Sequence, residues 1–325
     1  MKCLSIVVPV YNEEANVKPL YTAVTNVLES ISDRYRWEFV FTDNGSTDAT
    51  FAEIEALAVK DPRVRAFRFT RNFGFQRSIL AGYCLARGDA AIQIDVDLQD
   101  PPEVILDFIR LWEADYKIVF GIRRSRPESL FLHISRRFFY RFISWISADS
   151  LPHDAGDFRL VDRCVLNLLQ KYRDENPYLR GYIATLGYRQ IGVAYDRAPR
   201  KSGTSSFKFW NLVELAVDGI VSHSILPLRL ASLVGVAVSI VAILTIVAYL
   251  VLYQESWPAG FATLAVLMLV SLAMNAIFLG IIGEYMARIF KQVKPRPLVI
   301  VERFIDSAPI DAEQKKITGI VFPAD

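Results

Sequence analysis

Cysteine is scarce in this chain of 325 residues: Cys3, Cys84 and Cys164 are odd in number and far apart. That excludes a disulfide framework and a cysteine zinc site, and points to a reducing, cytoplasmic setting. Histidine is equally rare, and His133, His153 and His223 show no metal-ligating spacing. An excess of one charge is missing too. With 37 Lys+Arg against 35 Asp+Glu the net charge is +2, too small to make nucleic acid the main partner. No Gly-x-Gly-x-x-Gly follows the first apolar stretch, and no Gly-x-x-x-x-Gly-Lys-Ser/Thr occurs anywhere. A bound nucleotide is therefore held neither by a dinucleotide fold nor by a P-loop. The opening run Leu4–Val10 is too short for a secretory signal and has no small-residue cleavage site.

Apolar residues, by contrast, are abundant at 52% of the chain, and the excess is concentrated late. Leu230–Tyr253 and Ala259–Gly283 carry no charge. Each exceeds the roughly 20 residues that a membrane-crossing helix needs. Arg229 precedes the first run, and Arg288, Lys291, Lys294 and Arg296 follow the second; the connection Gln254–Pro258 has neither Lys nor Arg. The positive-inside rule then puts both ends of a transmembrane hairpin in the cytoplasm, in the inner or plasma membrane. Two spans are too few for a sugar-conducting pore in one chain. They are expected to anchor the protein and present a lipid, in a homo-oligomer.

The first half alternates strand and helix. Leu4–Val10 reads as a strand closed by Tyr11–Glu14, with helical spacing over 15–30. Trp37–Thr42 is a second strand running into the turn Asp43–Asp48, and a helix follows to about Lys60. Val64–Phe69 is a third strand, followed by Arg71–Gln76 and a helix to Arg87. The fourth strand starts at Ala91 and ends in Asp95, Asp97 and Asp100 before Pro101–Pro102, which cannot continue a central strand. Alternation of this kind predicts a largely parallel sheet with helices on both faces. Three polar loops, Pro9–Glu13, Asp43–Asp48 and Asp95–Asp100, then meet at one sheet edge. Asp95 and Asp97, one residue apart on an extended chain, face the same side and suit a hard divalent cation.

Ile6–Glu14, Asp43–Asp48, Arg71–Gly74 and Asp95–Pro102 together resemble the ordered motifs of family-two glycosyltransferases with the Rossmann-like GT-A fold. Within that group the chain is similar to polyprenyl-phosphate glycosyltransferases, including bactoprenol glucosyltransferase and dolichol-phosphate mannose synthase. Gly156–Leu160, Asp196–Arg200 and Gly283–Tyr285 add to the likeness. By position, the resemblance implies that Pro9, Tyr11, Glu13, Asp43, Asp95 and Gln99 bind a nucleotide-sugar donor. Asp95 and Asp97 would hold Mg2+ or Mn2+, Asp97, Asp157 and Arg159 would act at the reacting centre, and Arg197, Arg200 and Lys201 would face the acceptor phosphate. Two positions depart from the family: Asn44 stands where many relatives have a second Asp, and Gln76 where close relatives often carry Glu.

The implied reaction is inverting transfer of glucose from UDP-glucose to a polyprenyl phosphate, with GDP-mannose as the alternative donor. A processive polysaccharide synthase usually carries Gln-x-x-Arg-Trp, and the near match Gln170–Asp174 lacks the Trp. A membrane scaffold or nucleotide-sugar sensor is the non-enzyme alternative, and a retired site has no need for clustered acids. Ser129–Trp145 and Phe207–Ile220 interleave aromatic and basic residues with apolar ones, as expected of interfacial amphipathic helices. The expected organisation is a cytoplasmic catalytic domain over 1–206, a juxtamembrane interfacial helix over 207–228, two transmembrane helices over 229–287 and a cytoplasmic tail over 288–325.

Overall fold

The computed structural model describes residues 1–124, 155–172, 174, 177–197, 260–294, 297–307 and 320–323, with helical positions between 228 and 247. The interfacial stretches 129–145 and 207–220, the three histidines, Arg200 and Lys201 lie outside the described residues. Two compact units are present, one built on a β-sheet and the other containing a long helix.

The sheet unit opens with β1 (Lys2–Val10), α1 (Glu14–Glu29), β2 (Tyr35–Asp43), α2 (Thr50–Lys60), β3 (Val64–Phe69), α3 (Phe75–Leu85) and β4 (Ala90–Gln93). It continues with α4 (Val104–Glu113), β5 (Ile118–Arg123), β6 (Ala155–Asp162), α5 (Arg163–Leu169), α6 (Leu179–Thr185) and β7 (Gln190–Tyr195). After α7 (Phe261–Val293) of the second unit, β8 (Val299–Ile305) and β9 (Ile320–Val321) return to the first.

Strand order is β7-β5-β6-β4-β1-β2-β3-β8-β9. Pairing is parallel for β1 with β2 and β4, β2 with β3, β5 with β7 and β8 with β9. It is antiparallel for β3 with β8, and for β6 with both of its neighbours. The sheet of this α/β fold is thus mixed but mostly parallel. Successive β1 residues feed opposite cores. Leu4, Ile6 and Val8 pack with α1, α2 and α4, whereas Val7 packs with α3 and α5. Burial on both faces explains why β1 reads as a nearly continuous apolar run; β2 and β3 also bury Glu38 and Arg65, which pair with each other.

The segment after the second apolar run is not simply a tail. Val299 and Val301 are buried and β8 pairs with β3, so this part of the C-terminal region is an element of the sheet. In α7 the window Val270–Ala287 has mean hydropathy 1.5 and is not buried. Among the described residues it is one helix long and apolar enough to cross a membrane. From the first apolar run the described positions between Leu228 and Val247 are helical.

Candidate active site

Chain order and strand order part company at β1: β2 and β3 follow on one side, and β4 is added on the other. Such a switch point opens a crevice at the carboxyl ends of the strands. Pro9 sits at that opening. The Ile94 N–H donates to the Val7 carbonyl at 3.1 Å, so the backbone of Val7, and two residues on that of Pro9, is directed toward β4. Since β4 ends opposite Val7, the missing N–H of Pro9 falls where the neighbouring strand has stopped.

The β1 and β2 loops are stitched together. The Asn12 N–H donates to Ser46 Oγ (2.9 Å), the Thr47 N–H to Asn12 Oδ1 (2.8 Å) and the Glu13 N–H to Thr50 Oγ1 (2.8 Å). Tyr11 is exposed at the mouth, while the Glu13 carboxylate accepts from Asn16 at 2.5 Å. Asp43 is fully buried. Its Oδ1 accepts from both the N–H (3.0 Å) and the hydroxyl (2.5 Å) of Ser46, and its Oδ2 has no hydrogen-bond partner. Arg68 Nε approaches that oxygen no closer than 3.8 Å. Burial pushes the Asp43 carboxyl above its ordinary range, against the bonds from Ser46 and the charge of Arg68.

Asn44 has a use in this turn that the expected Asp would not meet. Its amide donates to Asn72 Oδ1 (2.9 Å) and its oxygen accepts the Phe73 N–H (2.8 Å), tying this turn to the loop before α3. An Asp could do only the second. Gly45 has φ +76°, and a Cβ there would lie 2.8 Å from the Arg71 backbone, so glycine is required.

The acidic corner differs from expectation in one respect. β4 ends at Gln93, so Asp97 stands in a turn, and this turn, not the pleat of a strand, sets its direction. Leu98 turns the chain with φ 55°. Asp97 Oδ1 accepts the N–H of the buried Gln99 at 3.1 Å, and Asp95 Oδ1 accepts from Gln93 at 2.8 Å. Burial, then the charges of Asp100 and Asp157 with a smaller part from Asp97, pushes Asp95 up to about 7. Asp100 is fully buried beneath this turn. It accepts from the Tyr195 hydroxyl (2.5 Å) and Arg123 (3.4 Å), and Arg197 Nε lies 3.7 Å away. Among the described residues no three His, Cys, Asp or Glu side chains converge on a preformed metal position.

β6 runs antiparallel to β4, so its beginning reaches the same edge. The register Gln93↔Arg159 carries Asp157 to the level of Asp95. Alternation along β6 sends Phe158 into the α4 core, 4.7 Å from the Phe108 ring, and Asp157 and Arg159 to the α3 and α6 side. There the Arg180 guanidinium grips Asp157 with Nε to Oδ1 at 2.9 Å and a terminal nitrogen to Oδ2 at 2.6 Å. Gln76 donates to Oδ1 at 3.3 Å. Burial alone would raise the Asp157 pKa; Arg180, Arg159 and Gln76 outweigh it and hold the carboxyl below its usual range. Arg159 is buried with its guanidinium on the Gly156 carbonyl at 2.8 Å, and burial lowers its pKa.

Arg180 and Arg123 escaped the sequence reading. Arg123 ends β5, which runs parallel to β4, so following strand ends one strand further would have found it. Gln170, from the near match to the processive motif, is elsewhere: it follows α5 and donates to the Cys84 carbonyl at 3.2 Å.

Residues 5–169 match the family described as Glycosyl transferase family 2. The uncharacterized glycosyltransferase YkcC of Bacillus subtilis (strain 168) is 38% identical over 92% of this chain and 93% of that protein. The bactoprenol glucosyl transferase of Shigella phage SfII is 37% identical, covering 92% of this chain and 97% of its own. Among solved structures, the mannosyltransferase PcManGT from Pyrobaculum calidifontis, in complex with GDP-Man and Mn2+, is similar with a TM-score of 0.47. It is 17% identical and covers 90% of this chain and 87% of that one. Half of the sequence fits the family pattern and more than nine-tenths aligns with such relatives, and on that basis this chain belongs to glycosyl transferase family 2 and is a glycosyltransferase.

Proposed function

We propose that this enzyme transfers glucose from UDP-glucose to a polyprenyl phosphate at the cytoplasmic face of a membrane, with inversion at the anomeric carbon. One observation carries the reading: the β1 and β2 loops, the Asp95–Asp97 turn and the gripped Asp157 converge at one edge of the sheet. The acceptor follows the relatives named bactoprenol glucosyl transferase.

Asp43 supports uridine as the donor's nucleoside. Its one oxygen without a hydrogen bond, Oδ2, is buried with the Arg68 guanidinium 3.8 Å away, so a base reaches it only if Arg68 or the Asp43–Ser46 turn shifts. One acceptor beside a donor suits the edge of uracil, a lone N–H between two carbonyls. Guanine presents two adjacent donors, which call for both oxygens of a carboxylate, and Ser46 already occupies one here.

Asp95 and Asp97 supply hard oxygen donors in a corner with surplus negative charge and would hold Mg2+ or Mn2+. When bound, the ion would neutralise the departing diphosphate. The acceptor phosphate is ionised at neutral pH and needs no general base. Asp157, kept charged by its partners, therefore serves to stabilise positive charge on the sugar in preference to taking a proton. Arg159 would steady that carboxylate from within the sheet. Arg197, Arg200 and Lys201 would face the acceptor phosphate, the two guanidinium groups as forks and the ammonium as a point charge.

Membrane crossing is supported by the chain's path. Residues up to 197 and β8 share one sheet and hence one side of any bilayer. If α7 spans, a second crossing must lie between 198 and 260, where Leu230–Tyr253 is uncharged. A hairpin satisfies this parity.

The test pairs purified full-length protein with UDP-glucose, UDP-galactose and GDP-mannose, polyprenyl phosphate and either Mg2+ or EDTA, reading lipid product by mass. UDP-glucose is expected to give a β-linked product that EDTA suppresses. Asp97→Ala should lower transfer by at least about 100-fold while still inserting in the membrane. Retained anomeric configuration, or normal turnover by the variant, contradicts the proposal.

A further inference from the structure

We propose that Arg180 is a positioning residue of the transfer reaction, holding the Asp157 carboxylate in one orientation at the polar edge of the sheet. The inference rests on the reading of Asp157 as a group of the reacting centre. Both carboxylate oxygens are engaged, at 2.9 and 2.6 Å, by adjacent nitrogens of one guanidinium, a fork that fixes the plane of the carboxylate as well as its place. Gln76 closes the arrangement. Its amide donates to Asp157 Oδ1 at 3.3 Å and its oxygen accepts the Leu179 N–H at 3.4 Å, so α3, α6 and β6 meet on this one side chain.

The guanidinium itself is steadied by its helix. Leu179 and Ile183 of α6 are buried in the same core as Ile79, Leu80 and Tyr83 of α3. The Asp157 side chain is 8% exposed and that of Arg180 41%, so the pair lies where the interior gives way to the open edge. A carboxylate whose two oxygens already accept three N–H bonds has little capacity left to receive a proton. Its contribution is a fixed charge, and a fixed charge is useful only if it does not move.

The test measures kcat and donor KM for wild type, Arg180→Ala and Arg180→Lys, with binding of the consumed donor's nucleoside diphosphate as the check on folding. The donor is whichever of the panel above the wild type consumes. A wrong sugar then shows in the wild type alone, and an idle Arg180 shows in the variants. Arg180→Ala is expected to lower kcat about 100-fold with donor KM changed by less than about 3-fold. Added methylguanidinium should restore at least about tenfold. Arg180→Lys keeps the charge without the fork and should stay at least about tenfold slow. A kcat within about threefold of wild type in either variant overturns the proposal. Should Arg180→Ala fail to bind that nucleoside diphosphate, Arg180→Lys decides alone by the same criterion. A wild type that consumes no donor removes this proposal together with the reading it rests on.

Discussion

A neutral amide, that of Gln76, stands 3.3 Å from Asp157. The choice matters because Asp157 is held charged by a balance: burial raises its pKa, while Arg180, Arg159 and the Gln76 bond lower it. Tyr83 and Asp95 also face it. Gln76→Glu replaces a donated bond by a like charge, which favours the protonated form. The acid limb of the kcat–pH profile should therefore move to higher pH, with activity at neutral pH less affected. An unmoved limb would mean that Asp157 does not govern it. Of this candidate site the sequence itself offered the polar turn with Asp43 and the pair Asp95 and Asp97 before the prolines, and the resemblance added Asp157 and Arg159, two apart. Arg180 was hidden, since its bond to Asp157 spans 23 residues and Leu179–Arg180–Gly181 carries no spacing that chemistry demands.

β8 shows what is legible in an element and what is not. Its run Val299–Ile300–Val301–Glu302 is buried at alternate positions and rich in β-branched residues, yet from the sequence it is expected only as part of a tail. Its partner was not readable, because nothing local tells a strand which edge it will join. The pairing is secured across 241 residues by Asp306, whose buried carboxylate meets Arg65 at 2.9 Å and Arg87 at 3.0 Å. Arg65, buried too, also pairs with Glu38 at 2.9 Å. Removing one partner from a buried ion pair costs about 3 kcal/mol, because the other is left without compensation. Asp306→Ala is thus expected to destabilise the sheet unit by that order, read as a lower denaturant midpoint and earlier proteolysis near residue 297. An unchanged midpoint would show that the strand is held by its ladder and apolar contacts alone. The early elements, by contrast, were readable to within about two residues, because β-branched and aromatic stretches there alternate with helical spacing and are closed by polar turns.

For the molecule as a whole, the chain's parity is the testable statement. Both Asp196, just past β7, and Val299 belong to one unit. A cysteine introduced at Ser256, in the connection free of Lys and Arg, should react with an impermeant maleimide added outside intact cells, whereas one at Ser307 should not. Equal labelling of the two would remove the hairpin.

The return of β8 also decides what a version of this enzyme without its apolar runs would require. Cutting the chain before the apolar runs would discard the cover of β3 and leave a row of unpaired backbone groups beside Phe67 and Phe69, an invitation to self-association. The apolar region is spliced into the domain and not appended to it, so a faithful excision must rejoin the two flanks.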